Sequence, residues 1–292
     1  MISNKDEAIR VIYGFEQSQE YNEIGYIDAL EYLISETDDS LYMMKLGGWY
    51  YEQRHFDLAE KYYLMAAQKN DMSAYSCLGY IYYYGRTGHK NYKKAYECFK
   101  KAGDMGDIIS GYKLADMYHR GYYVDKDEKK YKEIIESLYD LVKDETDLFA
   151  PVPEIFSRLG RIYLSEGNKY EGIMLLLKAK DYLAQRLWKS DFFGDLSIMK
   201  YLINDIYKVI ELDLENLDVF DLYFILTHIS KVLITYRHHN YYIESFQDGS
   251  IKMNDMYFED VDDFFSRAKL NTWTPVYSLY DQLDNMELLL CK

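Results

Sequence analysis

Proline and cysteine are scarce in this chain of 292 residues, with three of each. A proline in a helix interior costs about 3 kcal/mol, so its rarity leaves long helices unobstructed. Cys77, Cys98 and Cys291 are odd in number and lack CxxC spacing or a partnering histidine pattern, which argues against a disulfide framework and a zinc site. Long apolar runs are missing as well. No stretch approaches about 18 consecutive apolar residues, and the opening MISNKDEAIRVIYGF reaches no run of signal-peptide length. A reducing, cytoplasmic compartment is the expectation. Positive charge is the other shortage, with 34 Lys and Arg against 49 Asp and Glu and a net charge of −15. Such a field opposes nucleic acid and anionic membranes and favours a protein or peptide partner with a basic surface. Finally, there is no GxxxxGK(S/T), GxGxxG, GxSxG or HExxH, so the common phosphate, dinucleotide, acyl-transfer and zincin signatures are absent. The expectation is a non-enzyme without cofactor or metal.

What is present begins with ordinary globular proportions, 49% hydrophobic and 28% charged, in a chain long enough for one large or two ordinary domains. The unusual number is 34 tyrosines against 13 phenylalanines and 3 tryptophans. Part of that excess is periodic. Leu46-Gly47 with Tyr50, Leu78-Gly79 with Tyr82, Leu114-Ala115 with Tyr118 and Leu159-Gly160 with Tyr163 share one helical spacing, with a small residue where a neighbouring helix must come close. Beyond each leucine, Ala59 and Ala66 follow Leu46 as Gly172 and Ala179 follow Leu159. Ala95 and Ala102 follow Leu78 as Tyr131 and Leu138 follow Leu114, at a spacing four residues longer. The extra residues fall between two helices.

These segments carry a family resemblance. LGGWYY…FDLAEKYYLMAA and LGRIYL…YEGIMLLLKAK resemble tetratricopeptide repeats, and the two longer units resemble the related Sel-one-like repeat, with inter-helix loops GRTGHKNYKKA and GYYVDKDEKKY. The resemblance implies an all-α fold, a solenoid (α-α superhelix) of antiparallel helix hairpins, which the residues beyond it are expected to close with a C-terminal helical cap containing a small β-hairpin. Four repeats would occupy residues 41–187, an N-terminal hairpin, a divergent repeat, residues 1–40, and a C-terminal region residues 188–292. Secreted Sel-one-like proteins carry paired cysteines at positions matched here by Ala67, Tyr75 and Gly103. In the loops, Asn91 and Asp127 stand where an N-cap is wanted, and Gly85 and Gly121 where a left-handed residue ends a helix.

After residue 187 the repeat signature fades. Residues 191–214 and 217–237 have apolar spacings of three and four and read as two long amphipathic helices covering the end of the array. A strand, a two-residue Asp248-Gly249 turn and a second strand follow as a hairpin near 241–254. Residues 259–269 read as helix again, and a final helix is expected near 276–290. His238-His239 then sits at a helix C-terminus, where cations suit the dipole. His55 and His89 fall in loops, and His228 reads as a core or interface histidine. The acidic run Asn254, Asp255, Glu259, Asp260, Asp262 and Asp263 lacks an EF-hand's ligand alternation and central glycine, so a helix start explains it better than calcium.

In such arrays the first helix of each unit lines a concave groove. Carried over by register, that groove holds Met44, Tyr51 and Glu52; Ser76, Tyr80, Tyr83 and Tyr84; Tyr112, Asp116, His119 and Arg120; and Ser157, Arg161 and Ser165. Tyrosine offers large contact area at low rotamer entropy with a polar tip. The resemblance therefore implies a non-catalytic scaffold that binds a peptide or protein in a tyrosine-rich groove. Two alternatives remain. One is a stoichiometric inhibitor of a basic protein, such as a bacterial immunity protein or antitoxin; the other is a repeat-regulated enzyme with an unrecognised C-terminal domain.

Overall fold

The computed structural model describes residues 2–17, 22–189, 193–211, 218–228, 231–270, 274–276 and 285–288. Two compact units divide the chain, 1–134 and 135–292. In the first, helices follow one another as hairpins: α1 (Lys5–Glu16) with α2 (Glu23–Thr37), α3 (Ser40–Glu52) with α4 (Phe56–Gln68), α5 (Met72–Tyr84) with α6 (Tyr92–Asp104), then α7 (Ile108–Arg120) and α8 (Glu128–Val142), within which the division falls.

The Leu-Gly signature is a packing device. A Cβ on Gly47 would stand 2.7 Å from the Tyr63 ring, and one on Gly79 only 2.4 Å from the ring of fully buried Phe99. Each glycine thus admits an aromatic ring from the second helix of its own hairpin. The second unit repeats the arrangement with α9 (Val152–Ser165) and α10 (Lys169–Lys189). There Gly160 would meet Leu176 and the Gly172 carbonyl at 2.9 Å.

Loop residues close the hairpins as their chemistry dictates. The Asn91 carboxamide accepts the Lys94 N–H at 3.0 Å, and the Asp127 carboxylate accepts that of Lys130 at 2.8 Å, satisfying orphan donors of α6 and α8. Gly85 and Gly121 end α5 and α7 at φ of 67° and 68°. Hydroxyls explain why many rings are tyrosine. Tyr62 donates to Glu31 at 2.9 Å and Tyr82 to Glu60 at 2.6 Å, while the Tyr96 and Tyr118 hydroxyls pair at 3.0 Å. Each ring fills core space while its tip satisfies a polar group on another helix.

Beyond α10, the second unit continues with α11 (Phe193–Tyr207), a 3-10 turn (Val219–Asp221), α12 (Leu222–His228), β1 (Lys231–Tyr236), β2 (His239–Ser245), β3 (Ile251–Met253), β4 (Met256–Phe258), α13 (Val261–Arg267), β5 (Lys269–Leu270), β6 (Thr274–Pro275) and β7 (Asn285–Leu288). A five-stranded antiparallel sheet runs in the order β4-β3-β2-β1-β7, beside a β5-β6 ladder. Its buried face packs Val232, Ile234, Ile243 and Met253 into one core with Phe264 and the Tyr223–Phe265 stack, whose centroids are 3.9 Å apart. Lys180, largely withdrawn from solvent, pairs with Asp218 at 2.8 Å and Asp221 at 2.7 Å. Arg186 binds Glu154 and Asp195 at 2.8 and 2.9 Å.

This region departs from the sequence reading in several places. Residues 217–237 are not one helix, because KVLITY forms β1. Its β-branched residues alternate, burying Val232, Ile234 and Tyr236 on one face. His238-His239 consequently ends no helix. Arg237 and His238, both at positive φ, form the tight turn between β1 and β2. The β2–β3 turn is longer than two residues: the Phe246 N–H bonds the Ser250 carbonyl, and Gly249 adopts φ 88°. The two-residue turn is instead Asn254-Asp255, between Met253 and Met256. Where a final helix was expected, residues 285–288 are the strand β7. Residues 277–284, 289 and 290, Cys291 and the His228 side chain lie outside the described residues. In the acidic run, Asp260 caps α13 by accepting the Asp263 N–H at 2.8 Å, and Asp263 holds Arg267.

Candidate functional site

In the first unit, α5 and α7 bring together a cluster of tyrosines. The Tyr80 and Tyr84 rings stack at 5.9 Å, and Tyr83 meets Tyr84 edge-on at 5.0 Å. Tyr80 and Tyr83 rest on Phe99 at 5.7 and 6.1 Å, so the cluster's floor is the hairpin core. Tyr84 is its most open member, 43% exposed, whereas Tyr112 is buried. Burial pushes the Tyr83 phenol up to about 12, partly offset by the Arg120 cation.

The centre of the cluster is a cation. The Lys113 ammonium lies 5.2, 5.9, 5.6 and 5.4 Å from the ring centroids of Tyr80, Tyr83, Tyr84 and Tyr112, and donates to the Tyr84 hydroxyl at 3.3 Å. Aromatic faces attract such a charge by about 0.5–1 kcal/mol at exposed sites. Tyr122 extends the surface, 6.0 Å from Tyr83 and stacked at 4.3 Å on Tyr92, with the Arg120 guanidinium 6.0 Å over its ring. On the other side, Arg86 lies over Tyr84 at 5.4 Å and Phe56 at 5.7 Å. Phe56 in turn meets Tyr51 at 5.2 Å.

The register therefore gathers Tyr80, Tyr83, Tyr84 and Tyr112 around one lysine, with Asp116 and Arg120 acting on Tyr83. Tyr51 joins through Phe56 and Arg86, and Glu52 is exposed at the end of α3. Others are placed differently. His119 faces Glu128 at 2.8 Å and the Tyr131 ring at 4.7 Å. Arg161 belongs to the second unit and pairs with Asp205 at 2.6 Å. Ser157 is buried, while Ser76 bonds the Ser110 hydroxyl at 3.1 Å. Sequence reasoning missed Lys113, Arg86, Tyr92 and Tyr122. The register follows first-helix positions, and Arg86, Tyr92 and Tyr122 lie just outside those helices. The Tyr112-Lys113 pair was the one available signal for the lysine.

Cys77 and Cys98 are half-buried. Burial pushes Cys77 and Cys98 each up to about 11, where a thiol is a small hydrophobe. No group of three or more His, Cys, Asp or Glu side chains that could hold a metal ion occurs among the described residues. No described helix is long and apolar enough to cross a membrane.

The chain matches no family model. Over 77 residues it is 38% identical to an uncharacterised Sel1-like repeat-containing protein of Schizosaccharomyces pombe, a match covering 26% of this chain and 12% of that protein. Two solved structures share its fold. One is a Sel1 repeat protein from Oxalobacter formigenes, with a TM-score of 0.55 and 17% identity over 76% of this chain and 84% of that one. The other is a protective antigen of uropathogenic Escherichia coli displaying the same repeat fold, with a TM-score of 0.50 and 16% identity over 70% of this chain and 50% of that one.

Proposed function

We propose that this chain, whose hairpins are Sel1-like repeats, is a non-catalytic scaffold that binds a peptide or protein on the tyrosine cluster of its first unit. Sel1-like repeat proteins generally mediate protein–protein interaction. The observation that carries the reading is the open aromatic surface around Lys113, in which Tyr84 is exposed and three cations, Arg86, Lys113 and Arg120, rest on ring faces. Rigid aromatics and arginine are the residue types that concentrate binding energy at interfaces. The net charge of −15 adds a long-range attraction for a partner with a basic surface, acting mainly on encounter rate.

The test is affinity capture with the native protein and with Tyr84→Ala combined with Lys113→Ala. Both positions lie on the surface side of the cluster, so far-UV dichroism and Tm stay near native. A prey lost only in the variant supports the reading; identical prey in both sinks it.

A further inference from the structure

Beside the tyrosine cluster, between the α3–α4 and α5–α6 loops, the first unit has a cavity of about 310 Å³ whose lining includes Arg54, His55, Phe56, Asp57 and Arg86. Two arginines and one aspartate are among its lining residues. Acids outnumber bases 49 to 34 in this chain, yet neither Arg54 nor Arg86 forms an ion pair among the described residues. Arg54 also occupies a left-handed backbone position, φ 60°, a conformation that costs a side-chain-bearing residue roughly 1–2 kcal/mol and suits glycine. A strained residue whose charge finds no partner among the described residues marks a candidate functional position.

Arg86 supplies the orientation. Its guanidinium carbon lies 5.7 Å from the Phe56 ring centroid and 5.4 Å from that of Tyr84, which holds at the cavity a group able to grip a carboxylate through two parallel hydrogen bonds. Arg86, which lines the cavity and lies over the Tyr84 ring, links it to the aromatic surface. The acid excess is also unevenly spread. Residues 1–134 hold 18 Lys and Arg against 22 Asp and Glu, and residues 135–292 hold 16 against 27. The first unit is close to neutral, so an anion approaching it meets little repulsion.

We propose that the Arg54–Arg86 cavity anchors an aspartate or glutamate side chain of the protein segment docked on the tyrosine cluster. This rests on the scaffold reading and sharpens it, since the docked segment is acidic even where the partner as a whole is basic.

The experiment uses the full chain and fluorescence anisotropy with three labelled peptides, identical except that every second residue is Glu, Gln or Lys, the others being Leu and Tyr. The Glu peptide is expected to bind at least tenfold tighter than the Gln and Lys peptides. Arg54→Gly with Arg86→Gln should lose at least tenfold for the Glu peptide. Arg54→Gly alone, which relieves the backbone, should weaken binding with Tm unchanged or raised, separating the effect from misfolding. Equal affinity for the Glu and Gln peptides, preference for Lys, or full binding by the double variant overturns the proposal. Displacement by inorganic phosphate at sub-millimolar concentration also overturns it, by marking a free-anion site. If the double variant still captures the prey that Tyr84→Ala with Lys113→Ala loses, the anchor is wrong and the scaffold reading stands.

Discussion

At the scale of single residues, the repeat is held by what glycine lacks. Gly79→Ala would drive a methyl group to within 2.4 Å of the Phe99 ring in a filled core. Overpacking of this kind costs about 1–3 kcal/mol, and calorimetry should show it as a fall in Tm. Gly103→Ala, whose new Cβ would come no closer than 3.7 Å to its neighbours, should cost far less. Half-buried thiols and phenols contribute to the pH response. Cys77 and Cys98 are pushed up to about 11, and Tyr83 to about 12, chiefly by burial. Folded values above the unfolded ones mean that the folded state holds these protons more tightly. Their stabilisation is fully present below about pH 9 and is lost as pH rises through 11 and 12. Tm should therefore fall progressively above pH 9, and peptide mapping after brief iodoacetamide treatment at pH 8 should find Cys77 and Cys98 unmodified.

At the scale of elements, the caps provide a matched pair of tests. Asn91→Ala and Asp127→Ala each remove an acceptor for a first-turn N–H and should each cost about 1 kcal/mol, read as a lower midpoint in urea with an unchanged slope. These caps, the Leu-Gly contacts and the left-handed glycines at Gly85 and Gly121 were all legible in the sequence. Each is a local rule in which one residue type at one spacing has one physical purpose. The sheet was far less legible. KVLITY follows apolar residues at helical spacing, and its alternation spans only six residues, so the helical period ran through it unopposed. β7 pairs with β1 between positions fifty or more apart in the chain, and a pairing that distant leaves no local trace. The tyrosine hydroxyls fall between these cases. The periodicity singled out Tyr82 and Tyr118, but the hydroxyl partners lie on other helices, as Glu60 does for Tyr82 and Glu31 for Tyr62.

At the scale of the molecule, the register named Tyr80, Tyr83, Tyr84 and Tyr112, which cluster on α5 and α7, but not the Lys113 among them. Lys113 was overlooked because a periodic template selects positions, whereas a cation among four rings is a product of packing. Net charge alone also concealed the near-neutral first unit beside a strongly acidic second one. That division predicts that raising ionic strength slows capture of a basic partner by the whole chain, while contacts made on the tyrosine cluster change less. Stopped-flow association at two salt concentrations would show it as a lower association rate with a nearly constant dissociation rate.

The central claim is that the partner sits on the aromatic surface of α5 and α7. Hydrogen exchange read by mass spectrometry, on the full chain with and without its captured partner, tests this most directly. The account predicts new protection in peptides covering residues 80–92 and 112–122. Protection confined to residues 135–292, with those two segments unchanged, would contradict it.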